Sequence, residues 1–536
     1  MLDRLPEGRL GAQGADRANN RHLDTSSSNQ VRCAADLGRP SPETQAPQYH
    51  IAGSPPHLAL VGKGLVILHL DGLGATALER ALAAGQMPFV RRLIDGEGYQ
   101  IQPYRCGVPS TTPYAQAGIL YGDSSEIPSY RWWDKSIGAV VGFGSGGTFE
   151  LVADRYFNGR TPLTEGGACI AALYRAGAVD RFGPDYGEHH GASDRQVIVP
   201  FLTNPQVVYH WLRHGGGAAF GVLAEYVSAR IARRPVSPAY VFADLFHECV
   251  VHHLTRFATR QAMAQGLPVI YSCFYTFDEA AHAFGPEDEW SRRILRHLDH
   301  TVDWVARSRS GAGPREYELL VLSDHGQVEC RLFNGGDGEN LGAYLARWLP
   351  GYGVTEHRGG TFGPAEGPIT GHIAITYSGG LAHLYFTDLP GRLNRTDLET
   401  HFPGLVQRLA NLDRIGFVMV KDGRSGGIVH AHGSHRLNAE AAPFLAHLDE
   451  PGVLTRQLKR LNSFESSGDL VLFGSFEDNR QFNFENQVGG HGAAGGEQAH
   501  PFVLAKREWA LETARIESAD QLHQPLTDLV RRLASG

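Results

Sequence analysis

Gly64-Leu-Val-Ile-Leu-His-Leu70, with Asp71-Gly-Leu-Gly74 directly behind it, is the stretch that decides the fold. A short run rich in branched apolar residues and stopped by glycine reads as a buried strand. A helical pattern follows from Ala75 to Ala84. Three further runs share this character. Leu267–Tyr275 leads into Asp278, and Tyr317–Ser323 leads into Asp324-His325-Gly326. Asp469–Phe473 precedes a polar loop that reaches Gly489-Gly490-His491-Gly492. Helical stretches from His247 to Gln265 and from Glu289 to Ser308 lie among them. Strand and helix alternate, which predicts an α/β fold: a doubly wound, mostly parallel sheet with helices on both faces.

Composition narrows the class. The 536 residues carry 49 Lys+Arg and 57 Asp+Glu, so the net charge is 49 − 57 = −8. An acidic chain is a poor binder of nucleic-acid backbones, and no nucleic-acid partner is expected. With 42% hydrophobic and 20% charged residues, global disorder is excluded. The six cysteines are scattered without a CxxC pair, which argues against a disulfide framework or a zinc ribbon. No run of about 18 apolar residues exists, so no transmembrane helix is expected. Met1 to Pro56 is polar and lacks the apolar core of a secretory signal. It reads as a disordered leader outside the fold, which places the protein in the cytoplasm with membrane association left open. Residues 57–536 are expected to form one enzyme domain, with an inserted α+β cap over 331–441 holding strand-like runs at His372–Tyr377 and Leu381–Phe386. Glycine-rich stretches at 142–147, 215–217 and 359–367 read as loops.

In open α/β sheets, ligands bind outside the carboxyl ends of the strands. Asp71, Asp278, Asp324 and His325 all fall at such ends. Asp278 and His282 are four apart, so on a helical turn they face the same side. Gly326 lets the backbone turn behind Asp324 and His325, and the glycines around His491 free its backbone to approach a crowded site. Carboxylate oxygen with imidazole nitrogen suits zinc, and carboxylates also suit manganese or magnesium. Val108-Pro-Ser-Thr-Thr-Pro113 adds a nucleophile candidate. Here Thr112 reads as the helix N-cap and Pro113 as the first residue of a helix running to Tyr121. A phosphoryl group on Thr112 would sit at that helix N-terminus, where the dipole favours an anion. Thr111 is the rival hydroxyl. The pairs His189-His190 and His252-His253 are set aside as metal sites, because one lies in a glycine-flanked loop and the other points two ways from a helix.

Taken together these motifs resemble the alkaline phosphatase superfamily, in its type I phosphodiesterase and nucleotide pyrophosphatase branch. The resemblance runs from Gly64 to Leu504. It rests on Asp71-Gly, Pro109-Ser-Thr-Thr112 with Tyr121-Gly122, Asp278-x-x-x-His282-x-x-Gly285-Pro286, Ser323-Asp-His-Gly326 and Gly490-His-Gly492. It implies two divalent metal ions, zinc by family habit, with Mn2+ or Mg2+ as alternatives. One would be held by Asp278, His282 and His491, the other by Asp71, Asp324 and His325, facing the Thr112 oxygen. It also implies hydrolysis of a phosphodiester or nucleotide pyrophosphate bond in a small phosphorylated substrate, through a phosphothreonine at Thr112. The family often carries Asn three residues after the nucleophile, where this chain has Ala115. Gln116, or Arg131 and Lys135 of the Arg131-Trp-Trp-Asp-Lys135 segment, is expected to bind the substrate instead; Trp132 and Trp133 also fit plain core packing. The sulfatase pattern is missing around Cys106, and the Asp-x-x-x-His-x-x-Gly-Pro motif points away from phosphoglycerate mutases. A phosphomonoesterase, another phosphoryl or sulfuryl hydrolase, or a non-catalytic metal-binding scaffold are the alternatives. The complete set of ligand types argues against the last.

Overall fold

The computed structural model describes residues 62–142, 148–182, 190–231, 236–334, 338–357 and 373–536. Every residue of the strand Gly64–Leu70 is buried, as the sequence pattern requires of a strand covered on both faces. It pairs in parallel with Val269–Phe274 on one side and Tyr317–Leu322 on the other. The whole sheet runs Tyr99–Pro103, Phe502–Lys506, Tyr317–Leu322, Gly64–Leu70, Val269–Phe274, Ala168–Ile170, Asp180–Phe182. Phe502–Lys506 is antiparallel to both of its neighbours, and the remaining pairs are parallel. This is the mostly parallel α/β sheet expected of an alkaline phosphatase-like fold. The three strands that lead into Asp71, Asp278 and Asp324 are neighbours, so their carboxyl ends open on one edge.

One strand lies elsewhere. The run Asp469–Phe473 does form a strand, at Leu470–Gly474, but not in the parallel sheet. It is the middle of a second seven-stranded sheet, antiparallel to Leu381–Phe386 and Ile415–Val420. A continuous apolar run signals burial on both faces, and both sheets offer that; nothing local names the partner. A small sheet of Phe476–Glu477, Arg480–Asn483, Val328–Leu332 and Gly489–Gly490 lies next along the chain. There Gly490 pairs with Val328, which brings His491 back beside the segment that follows His325.

The helices match the reading at Ala75–Ala83, His252–Gln265 and Glu289–Arg307, with Asp288 capping the last through Trp290 N. His247–Val251, expected to be α-helical, is a turn of π-helix. Gly215–Gly217, expected to be a loop, lies inside the helix Pro205–Ile231. Buried Gly215 packs beside the place where Trp211 Nε1 donates to the Cys249 carbonyl, at 2.5 Å. The leader, residues 143–147 and the 359–367 glycines lie outside the described residues.

Candidate active site

At the shared edge, the ligand atoms of Asp71, Asp324 and His325 lie within 4.8 Å of one another, as do those of Asp278, His325 and His491. His282 joins the second group. Its Nε2 is 3.2 Å from Asp278 Oδ2 and 3.2 Å from His491 Nε2. His325 Nε2 is 3.3 Å from Asp324 Oδ2 and 3.7 Å from Asp71 Oδ1. The rings of His325 and His491 stack at 3.8 Å, so the two groups share a wall. Backbone economy permits this crowding. A Cβ on Gly72, where φ is +73°, would sit 2.4 Å from Asp278 Oδ1. One on Gly492, at φ +104°, would meet the Ser378 carbonyl at 2.3 Å. Only glycine fits such positions without strain.

Hydrogen-bond accounting shows what the cluster is built for. His282 Nδ1 contacts the Gly489 carbonyl at 3.0 Å, His491 Nδ1 the Ser110 carbonyl at 2.7 Å, and His325 Nδ1 the Gly326 carbonyl at 3.0 Å. A carbonyl only accepts, so each Nδ1 carries the proton. Each ring therefore turns its Nε2 inward, the atom that a metal would take. Asp71 Oδ1 and Asp324 Oδ2 are buried with no hydrogen bond. Burial, then the carboxylates of Asp324 and Asp278, push the Asp71 carboxyl well above its usual range. Burial pushes His491 down to about 3, with His325 adding to it. Burial would lower His282 too, but the Asp278 carboxylate carries it up to about 9. Converging lone pairs, orphaned carboxylate oxygens and mutual repulsion all ask for positive charge. The residues present fit a pair of divalent cations.

Thr112 faces this cluster, its Oγ1 3.1 Å from His325 Nε2. The helix start differs from expectation by one residue. Ala115 N donates to the Thr111 carbonyl, and Thr111 is extended, with φ −128° and ψ 146°. Because the N-cap carbonyl accepts the first helical bond, Thr111 is the N-cap and Thr112 opens the helix Thr112–Tyr121. Thr111 Oγ1 is fully buried without a hydrogen bond. Thus the hydroxyl that reaches the acids and histidines is still that of Thr112.

The expected substrate-binding residues do not all come to the cluster. Gln116 lies underneath it, donating to His69 Nδ1 at 3.3 Å and accepting from Leu173 N at 2.8 Å. Arg131 is engaged by Glu485 at 3.0 Å and the Tyr377 carbonyl at 3.3 Å. Lys135 is committed elsewhere: its ammonium donates to the Leu389 and Gly391 carbonyls and pairs with Asp469 at 2.8 Å. Trp132 and Trp133 are buried in the core. A residue missed by the motifs is His69. It is fully buried, its Nε2 is 3.0 Å from Asp324 Oδ1, and its Nδ1 is 2.9 Å from Tyr271 OH. A histidine inside the apolar run Leu68-His-Leu70 was the available signal, since a buried polar side chain needs partners.

The helical histidines form a different group. His252 meets Glu248 and His297, with ligand atoms within 4.8 Å. Here His297 Nδ1 is 2.5 Å and Arg293 Nη1 3.4 Å from Glu248 Oε2. A guanidinium already balances that carboxylate, so the group reads as an ion-pair network. His189 lies outside the described residues.

The family model described as Type I phosphodiesterase / nucleotide pyrophosphatase matches residues 65–361, more than half of the chain. The chain belongs to that family. The matched span carries Asp71, Thr112, Asp278, His282, Asp324 and His325, while His491 lies beyond it. Among solved structures, phosphonoacetate hydrolase from Sinorhizobium meliloti 1021, bound to phosphonoformate, is 16% identical with a TM-score of 0.46. That likeness covers 87% of this chain and 96% of the hydrolase. Murine ectonucleotide pyrophosphatase / phosphodiesterase 5 is 11% identical with a TM-score of 0.46, covering 88% of this chain and 95% of the murine one. No curated protein matches the chain. As a member of this family, the protein is a phosphoryl-transfer hydrolase.

Proposed function

We propose that the protein hydrolyses phosphodiester or nucleotide pyrophosphate bonds with two divalent cations, zinc in the first instance, and with Thr112 as nucleophile. The observation that carries this is the convergence of imidazole Nε2 atoms and unpaired carboxylate oxygens around the Thr112 hydroxyl. Asp278, His282 and His491 would hold one cation, and Asp71, Asp324 and His325 the other. Bound there, the cations would ease loss of the hydroxyl proton and neutralise the phosphoryl oxygens.

The chain's own residues do the positioning. The first turn of the helix Thr112–Tyr121 holds the hydroxyl and aims the positive end of its dipole at the phosphoryl group. In the first half-reaction the Thr112 Oγ1–phosphorus bond forms and the bond to the leaving oxygen breaks. In the second, water attacks the phosphothreonine and the Thr112 oxygen leaves. His69, held by Tyr271 and Gln116, fixes the Asp324 carboxylate from below.

The test is metal analysis with turnover of bis(para-nitrophenyl) phosphate, set against the monoester. The expected result is about two equivalents of bound metal, loss of hydrolysis on chelation, and preference for the diester. Full turnover in metal-free protein would overturn the reading. A preference for the monoester would reassign the substrate class.

A further inference from the structure

Among the described residues, fifteen large apolar side chains stand exposed, and eleven of them fall between Ile198 and Phe246. Such concentration marks an interaction face, since isolated exposed apolar residues scatter. Its spine is the helix Pro205–Ile231. Tyr209, Leu212, Phe220, Leu223, Val227 and Ile231 are exposed, from 48% at Leu223 to 79% at Ile231. With exposed Gly216 between Leu212 and Phe220, their spacing of three, four, four, three, four and four keeps them on one stripe roughly 100° wide. Val207, Gly215, Val222 and Ala229 lie opposite and are buried. The stripe is therefore a second apolar face on a helix whose first face is already packed. The helices His190–Thr203 and Pro238–Phe246 both pack against this one. They expose Val199 and Leu202, and Phe242 and Phe246, respectively.

Charge selects the occupant. At 100° per residue, exposed Arg213 and Arg230 fall on the two borders of the stripe. The helix holds one acid, Glu225, and it points to the far side. From His190 to Phe246, the span of the three helices, the sequence has five Arg against two Asp and one Glu, 5 − 3 = +2, in a chain whose net charge is −8. A second copy docked by two-fold symmetry would set this arginine-bordered stripe against itself, with no exposed acid on the helix to meet Arg213 or Arg230. An apolar stripe edged by arginine is instead the pattern of a helix lying in the surface of an anionic bilayer. No helix among the described residues is long and apolar enough to cross one.

We infer that the face built on Pro205–Ile231 docks the protein onto anionic phospholipid surfaces, with the stripe in the headgroup boundary and Arg213 and Arg230 among the phosphates. The readout is binding, so it stands apart from the catalytic proposal. Full-length protein is floated with vesicles of phosphatidylcholine alone and of phosphatidylcholine mixed equally with phosphatidylglycerol. Flotation with the mixed vesicles only is expected, and it should weaken at about 0.5 M salt. The double variant F220S/L223S should lose at least about tenfold in partition. R213S/R230S should lose roughly ten- to thirtyfold on the mixed vesicles. All four positions are exposed, so both variants should keep the parent melting temperature. Failure to float with mixed vesicles at low salt overturns the inference, as does equal flotation with both compositions. A dimer by light scattering that F220S/L223S splits, without flotation, would assign the face to a second copy.

Discussion

Two buried aspartates, one on each large sheet, look alike and do opposite work. Asp324 follows a strand of the mostly parallel sheet and Asp469 precedes the middle strand of the mostly antiparallel one; both are fully buried. Asp469 is saturated. It takes Leu393 N at 2.7 Å and Phe386 N at 2.8 Å, and it pairs with Lys135. Asp324 is not. Oδ1 has Gly72 N at 3.3 Å and His69, while Oδ2 has no hydrogen bond. The saturated acid staples strands together; the unsaturated one sits beside two more carboxylates and waits for a cation. Burial does not tell them apart, but the count of partners does.

The largest effect that could break this contrast is on turnover at the parallel-sheet edge. Thr112→Ala should keep fold and metal and lose at least about a thousandfold in kcat. Thr111→Ala should stay within about a hundredfold of the parent, because its hydroxyl makes no hydrogen bond to the cluster. Trapping the phosphoenzyme at low pH and mapping the label reads this directly. A label on Thr111 or Ser110 would move the nucleophile.

Next comes the acid itself. Asp324→Asn should lower bound metal and turnover together, by about a hundredfold or more in rate. His69→Phe should be milder, about ten- to a hundredfold in metal affinity, as for other residues that brace a ligand. It should leave the label on Thr112.

What was legible in the sequence follows the same division. The parallel strands announce themselves because each apolar run is joined directly to its motif, as in Leu70-Asp71-Gly72. Strand, turn and ligand are local neighbours, and adjacency in the sheet then collects them. Leu470–Gly474 carries an equally apolar run, but its partners lie at 381–386 and 415–420. Pairing there is settled by packing across the chain, which no short window contains. Thr112 was found for its place near a helix start, and the boundary was off by one because the first helical bond ends on the Thr111 carbonyl. His69 lay unread inside a strand, since period and burial describe its backbone and not the acid it would meet.

The smallest effect should come from Lys135, which the sequence offered for substrate binding where the family's Asn is replaced by Ala115. Its ammonium caps two carbonyls and neutralises Asp469, and its side chain is only 16% exposed. Lys135→Met keeps most of the buried stem and removes the charge. Asp469 would then be left without its cation, but with both backbone N–H donors still in place. The cost should therefore fall below that of stranding a bare charge, at about 1–3 kcal/mol of folding stability. Below the melting transition, kcat and KM for a chromogenic diester should match the parent within about twofold, because no bond from Lys135 reaches the cluster. A rise of tenfold or more in KM with an unchanged melting temperature would return Lys135 to the substrate. It would also show that a cation fully partnered by Asp469 and two carbonyls can be released for binding, which the contrast between Asp469 and Asp324 denies.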